Sequence, residues 1–243
     1  MRTALVRHAV LTASAASLAL LATACGADKA DTKAEAKPSA SAPAPSPTPE
    51  AKALAAADLE KLTLAAGDVP KVTIKKAGAD DVAKASEVTS DKPQCLPLAQ
   101  AGGFAPVGNA VTTTERIGAS EPADPANPMS MTLTSVQLAS YDGKGAEEAL
   151  ASMKAAGQAC TGGFVTTAKG EKTTINAVAP VTVTAGDDAA GWAFTAGGGD
   201  EGLQSQMVAV RKGNNLFVLH SLSFTGKPPV PQAYIDAQLK KLG

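Results

Sequence analysis

The stretch Gln206-Met207-Val208-Ala209-Val210-Arg211-Lys212-Gly213-Asn214-Asn215-Leu216-Phe217-Val218-Leu219-His220-Ser221-Leu222-Ser223-Phe224 decides the fold. Two strand-like runs, Gln206–Arg211 and Leu216–Phe224, flank Lys212-Gly213-Asn214-Asn215. Gly and Asn tolerate positive φ, so the tetrapeptide reads as a tight turn and the runs as an antiparallel hairpin. Three more strand-like runs precede it, Phe164–Thr167, Thr173–Val183 and Gly191–Thr195, with a break expected at Pro180.

Further upstream the periodicity changes. Ala146–Ala159 reads as a helix, with Leu150, Met153, Gly157 and Cys160 on one stripe and Glu147 and Glu148 in the first turn, where the dipole favours acids. Met129–Tyr141 is the longest strand candidate. Met129, Met131 and Leu133 share one parity, Val136 and Leu138 the other, and that slip predicts a bulge or bend. Val111–Ile117 is a Thr-rich strand, and Ala119–Pro128 an irregular loop. Ala53–Ala66 is a helix stopped by Gly67-Asp68-Val69-Pro70. Val72–Lys76 is a short strand, Asp80–Ser90 a loop or single weak turn, and Pro93–Ala101 a short helix ended by Gly102-Gly103. A last helix spans Pro231–Leu242. Consecutive strands joined by short turns predict an α+β fold over residues 53–243, an antiparallel β-sheet with helices packed on one face in two layers.

The segment ahead of this domain has a different job. Arg2, Arg7 and His8 precede an apolar run, Ala9–Ala24, diluted by Thr12, Ser14 and Ser17 and too short to span a bilayer. Residues 1–24 therefore read as a secretory signal peptide. It ends Leu21-Ala22-Thr23-Ala24-Cys25-Gly26, which resembles the lipobox of bacterial lipoproteins. That resemblance implies cleavage between Ala24 and Cys25, acyl chains on Cys25, and a chain lipid-anchored to the extracytoplasmic face of the cell membrane. Lipoboxes usually carry Leu where this chain has Ala22. Ala22-Thr23-Ala24 also fits ordinary cleavage, which would leave Cys25 bare.

Residues 25–52 hold almost no large apolar side chain. The prolines between Pro38 and Pro49 favour extended polyproline II, so the segment reads as a disordered Pro/Ala/Ser tether with a reach of about 3 Å per residue.

Three cysteines are present, Cys25, Cys95 and Cys160. Lipidation of Cys25 leaves an even pair, and outside the cytoplasm Cys95 and Cys160 are expected to form a disulfide, two buried free thiols being the alternative. Export removes Arg2 and Arg7, taking 22 basic residues to 20 against 23 acidic ones, a net charge of −3. Nothing there builds a basic patch for nucleic acid.

The chemistry-bearing residues are few. His220 is the one histidine left after export, and it alternates with Leu216, Val218, Leu222 and Phe224, as a core or edge histidine does. No Gly-x-Ser-x-Gly elbow and no Cys-x-x-Cys pair occurs, so no catalytic residue, cofactor or metal is assigned. A weak Ca²⁺ site from Asp187-Asp188 and Asp200-Glu201 would need their loops to meet. Tyr141, Trp192, Phe194 and His220 are the candidates for a ligand cleft.

Four segments carry a wider resemblance: Leu64-Ala65-Ala66-Gly67-Asp68-Val69-Pro70, the Cys95 and Cys160 pair, Gly186-Asp187-Asp188-Ala189-Ala190-Gly191-Trp192-Ala193-Phe194, and Val208–Leu216. Their order resembles actinobacterial, streptomycete-like cell-envelope lipoproteins and the extracellular sensor domains of PknH-type receptor kinases. The resemblance implies an antiparallel sheet with packed helices, a cleft that takes a ligand, and commonly two disulfides, where this chain has cysteines for one.

Three readings follow. A lipid-anchored binding or sensing module predicts an apolar cleft between helices and sheet. An accessory partner of an envelope complex predicts an exposed apolar patch and no sizeable pocket. An enzyme working with carboxylates alone predicts two of them about 5 to 10 Å apart in a cleft.

Overall fold

A computed structural model describes residues 50–198 and 202–243. The expected signal peptide, Cys25 and nearly all of the expected tether lie outside these residues.

Nine strands form one sheet: β1 (Val72–Lys76), β2 (Val88–Ser90), β3 (Thr112–Ser120), β4 (Thr132–Ser140), β5 (Phe164–Ala168), β6 (Glu171–Val181), β7 (Asp188–Ala196), β8 (Leu203–Lys212) and β9 (Asn215–Ser223). Their order is β1-β3-β4-β9-β8-β7-β6-β5-β2. Every pairing is antiparallel. The β8–β9 hairpin sits at the centre, closed by Gly213-Asn214, and Gly213 takes the positive φ (59°) that makes glycine the fitting residue there. The helices are α1 (Ala56–Leu62), α2 (Leu96–Gly102), α3 (Gly145–Ala159) and α4 (Gln232–Leu242).

The α+β class and antiparallel sheet are as expected, but the helices occupy both faces. Strand alternation splits the core. Met207 and Ala209 of β8 and Leu216 and Val218 of β9 pack with Leu98 of α2 and Leu150 and Met153 of α3. Their neighbours Val208, Val210, Phe217 and Leu219 pack on the other side with Leu59 of α1 and Ile235 of α4. The central strands are therefore apolar at both parities.

The same fact corrects the reading of β4. Its register runs unbroken against β3 and β9, with no bulge. Val136 and Leu138 serve the α1/α4 core, whereas Leu133 points to the opposite face. The register shift in the sheet lies instead between Ile175 and Ala177 of β6. Pro180 does not break β6, because it pairs with Trp192 beyond the stretch that β5 covers. Helix α1 stops at Leu62 rather than Ala66, since Leu64 turns into the core, where Gln238 Oε1 accepts from its amide at 3.3 Å.

Two bonds fix the frame around the sheet. Arg116 is buried on the α1 side and donates to Glu60 Oε1 (2.7 Å) and to the Leu64 carbonyl (3.1 Å). The Thr114 hydroxyl, with Arg116 and Lys76 beside it, pulls the Glu60 carboxyl down to about 2 against the opposing cost of burial. On the other face the Cys95–Cys160 disulfide ties the start of α2 to the end of α3, with Cα atoms 5.9 Å apart.

The chain enters the domain at one end of the sheet. Lys52 O accepts from Asn214 Nδ2 (2.8 Å), Ala53 N donates to Asp142 Oδ1 (2.8 Å), and Leu54 N donates to Ser140 Oγ (2.9 Å). Gly143 N donates to Ala51 O at 2.7 Å.

Candidate functional site

The site begins with a helix that is too short. Helix α2 has seven residues and ends at Gly102-Gly103. It covers β2 and β5, while α3 packs across β6–β9 nearer the chain entry. The far ends of β3, β4, β8 and β9 on this face are left without a helix. A cleft opens there.

Its inner part is a slot of about 250 Å³ walled by Leu98 and Ala99 of α2, Phe164 of β5, Ile175 of β6, Phe194 of β7 and Met207 of β8. Its outer part is a wider vestibule of about 730 Å³ that reaches Ile117, Leu133 and Ser135 and carries Asp80, Asp81, Lys169 and Glu171 on its rim. Gly102, Gly103, Ala168, Glu171, His220 and Leu222 line both parts, so the two are continuous. Gly103 matters for its size: an added Cβ would press within 3.1 Å of Val88 and 3.3 Å of Ala168, and α2 could not sit so close to β2 and β5.

Backbone strain collects at the vestibule. Lys169 (φ 50°) and Gly170 (φ 84°) close the β5–β6 hairpin with positive φ at both positions, the type I′ requirement. Lys169 Nζ then reaches across to the carbonyls of Asp80 (2.8 Å) and Ala79 (3.3 Å). Phe104 (φ 61°) is also left-handed, held by Gln137 Nε2 donating to its carbonyl at 3.1 Å. Residues held in such conformations recur at ligand sites.

His220 stands where slot and vestibule meet. Its Nε2 lies 2.9 Å from Ser205 Oγ, and its ring meets Phe194 edge-on with centroids 6.1 Å apart. Burial among these walls pushes the imidazole down to about 4, so at neutral pH it presents an uncharged polar edge in an apolar surround.

The four aromatic and histidine candidates separate. Phe194 and His220 share the slot wall. Tyr141 is a core residue whose hydroxyl donates to the Val107 carbonyl at 2.8 Å, with burial pushing the phenol up. Trp192 lies against Gly157 of α3 and faces a different, shallower hollow. Asp187 accepts from Gly213 N (2.7 Å) and lies beside Arg211, and Asp188 pairs with Lys154 (2.6 Å), so both carboxylates already have partners. Asp200 and Glu201 lie outside the described residues. Ser205, Lys169 and Glu171 escaped sequence reading. Ser205 has a faint signal, the one polar position on the slot-facing parity of β8 between Leu203 and Met207.

A disulfide-bonded antiparallel α+β module with a one-sided cleft is the class these features define, and its disulfide suits an oxidising compartment. The chain belongs to the PknH-like extracellular domain family, whose model matches residues 54–234. Its fold is similar to the crystal structure of the extracellular domain of PknH from Mycobacterium tuberculosis, with a TM-score of 0.56 at 15% identity, over 79% of this chain and 98% of that one. No curated protein sequence matches it. Among the described residues, no helix is long and apolar enough to cross a membrane.

Proposed function

We propose that this chain is an extracytoplasmic lipoprotein, anchored through acylated Cys25, whose 53–243 domain binds a small ligand in the α2 cleft without catalysis. The cleft carries the reading: a mostly apolar slot of about 250 Å³, with the hydrogen-bonded pair His220 and Ser205 in its wall and Thr166, Thr173 and Glu171 also lining it, opens into a charged vestibule. Apolar walls with a few convergent polar groups are the usual design of small-molecule sites. Membership of an extracellular domain family supports the address, and the Leu21–Gly26 segment supports the anchor. The cleft's carboxylates, Asp80 and Asp81 on the vestibule rim and Glu171 shared with the slot, are all exposed residues, where solvent screens them.

Native mass spectrometry of the full chain purified from its source membrane tests both halves. A ligand adduct that disappears in Gly102→Leu, which fills the slot, is the expected result. A covalent mass of acyl chains lost in Cys25→Ser is expected alongside. No adduct, or one indifferent to Gly102→Leu, refutes the cleft. An unacylated Cys25 refutes the anchor.

A further inference from the structure

We infer that the occupant is a single-chain amphiphile: an alkyl chain of about eight to ten carbons in the slot and a neutral or cationic head in the vestibule. This rests on the cleft being the binding site and names the chemistry it selects.

Shape sets the chain. A volume of about 250 Å³ holds about eight groups the size of a methylene or water, at about 30 Å³ each. The slot walls are mostly apolar, from Leu98 and Phe164 to Met207 and Leu222, with Thr166, Thr173, Ser205, His220 and Glu171 as the polar exceptions. The apolar surface does not stop at the mouth. Leu203 lines the slot while 40% exposed, and Phe224, the residue after Ser223, which pairs with Gln204 at the end of the β8–β9 ladder, is 45% exposed. Leu203, left partly in solvent where the slot opens, lengthens the track that an alkyl chain would follow.

Charge sets the head. The vestibule rim carries Asp80, Asp81 and Glu171 against Lys169 alone. Lys169 keeps its charge while its ammonium is held on the Ala79 and Asp80 carbonyls, and three carboxylates against one ammonium leave the rim net negative. An anionic head would be repelled there, and a cationic one attracted at a range that salt shortens. At the junction of slot and vestibule His220, hydrogen-bonded to Ser205, offers the base of the head a polar edge without adding a positive charge that would hold an acid.

Isothermal titration of the full chain tests this with decyltrimethylammonium and decyl sulfate, both below their micelle concentrations, and tetramethylammonium. The expected result is one-to-one binding of decyltrimethylammonium, with decyl sulfate about tenfold or more weaker and tetramethylammonium silent. Salt should narrow the gap between the two decyl probes. Gly102→Leu should weaken decyltrimethylammonium at least tenfold. Leu203→Glu takes apolar contact from both decyl probes and adds a negative charge beside the slot, so it should weaken decyl sulfate more than decyltrimethylammonium. Equal or tighter binding of decyl sulfate overturns the head assignment, and binding of tetramethylammonium alone overturns the chain assignment. If no decyl probe binds while a native adduct still vanishes in Gly102→Leu, the cleft stands and the amphiphile fails. If Gly102→Leu alters neither, both fall.

Discussion

Replacing Cys95 and Cys160 together by alanine removes the one covalent tie between α2 and α3. The cysteines are 65 residues apart in sequence. Releasing a loop of that length returns about 14 cal/mol/K to the unfolded chain, or about 4 kcal/mol at 25 °C. Both side chains are fully buried, so the small voids left behind add about 1 kcal/mol. Against a typical domain stability of about 5–15 kcal/mol, that is a large fraction. The assay is urea unfolding followed by the fluorescence of Trp192, the one tryptophan, which is buried against α3. The unfolding free energy should fall by about 4–5 kcal/mol and the denaturant slope should rise, because the freed denatured chain exposes more surface. Local behaviour should change with it. A seven-residue helix does not persist alone, so amides of Leu96–Gly102 should exchange well before those of β8 and β9. A loss below about 1 kcal/mol, or unchanged protection of α2, would refute the view that the disulfide holds the cleft's upper wall.

Three further perturbations have defined outcomes. Tyr141→Phe removes the bond to Val107 O and leaves that carbonyl buried without it, at about 1–2 kcal/mol in thermal unfolding; no change means the carbonyl finds another donor. Gly157→Ala drives a methyl into the Trp192 indole and should cost about 1–3 kcal/mol, with a shifted emission maximum; wild-type emission and stability would disprove the close packing of α3 on β7. His220 has a folded pKa near 4 against 6.5 unfolded, so protons bind the unfolded chain first. Its contribution is complete above pH 6.5 and is lost as pH falls through 4, about 3 kcal/mol in all, and His220→Gln should flatten that slope in the stability–pH curve.

Much of the sheet was legible because its signals are local. Lys212–Asn215 marks a hairpin whatever surrounds it, and the helical stripes of α3 and α4 need only their own residues. The number of covered faces was not legible. Val136 and Leu138 on one parity and Leu133 on the other look identical whether a strand bulges or stays straight between two cores. Only the positions of α1 and α4 settle it, and those are set by long-range contacts such as Arg116 with Glu60. The site shows the same division. His220 and Phe194 stood out by residue type, but Lys169 and Glu171 belong to a hairpin turn that is ordinary until its tip is seen beside Asp80. Tyr141 and Trp192 lie away from this cleft, because a scarce aromatic is as useful to a core as to a cleft and residue type does not say which.

The bonds made by Lys52, Ala53 and Leu54, with Ala51 beside them, gather at the Ser140–Asn215 end of the sheet, whereas Leu222 lies about 23 Å further along β9. Load passed into the domain through residues 51–54 is thus borne by a handful of contacts at one pole. The opposite pole carries none of that load, so the opening beneath α2 is isolated from it by the length of the sheet.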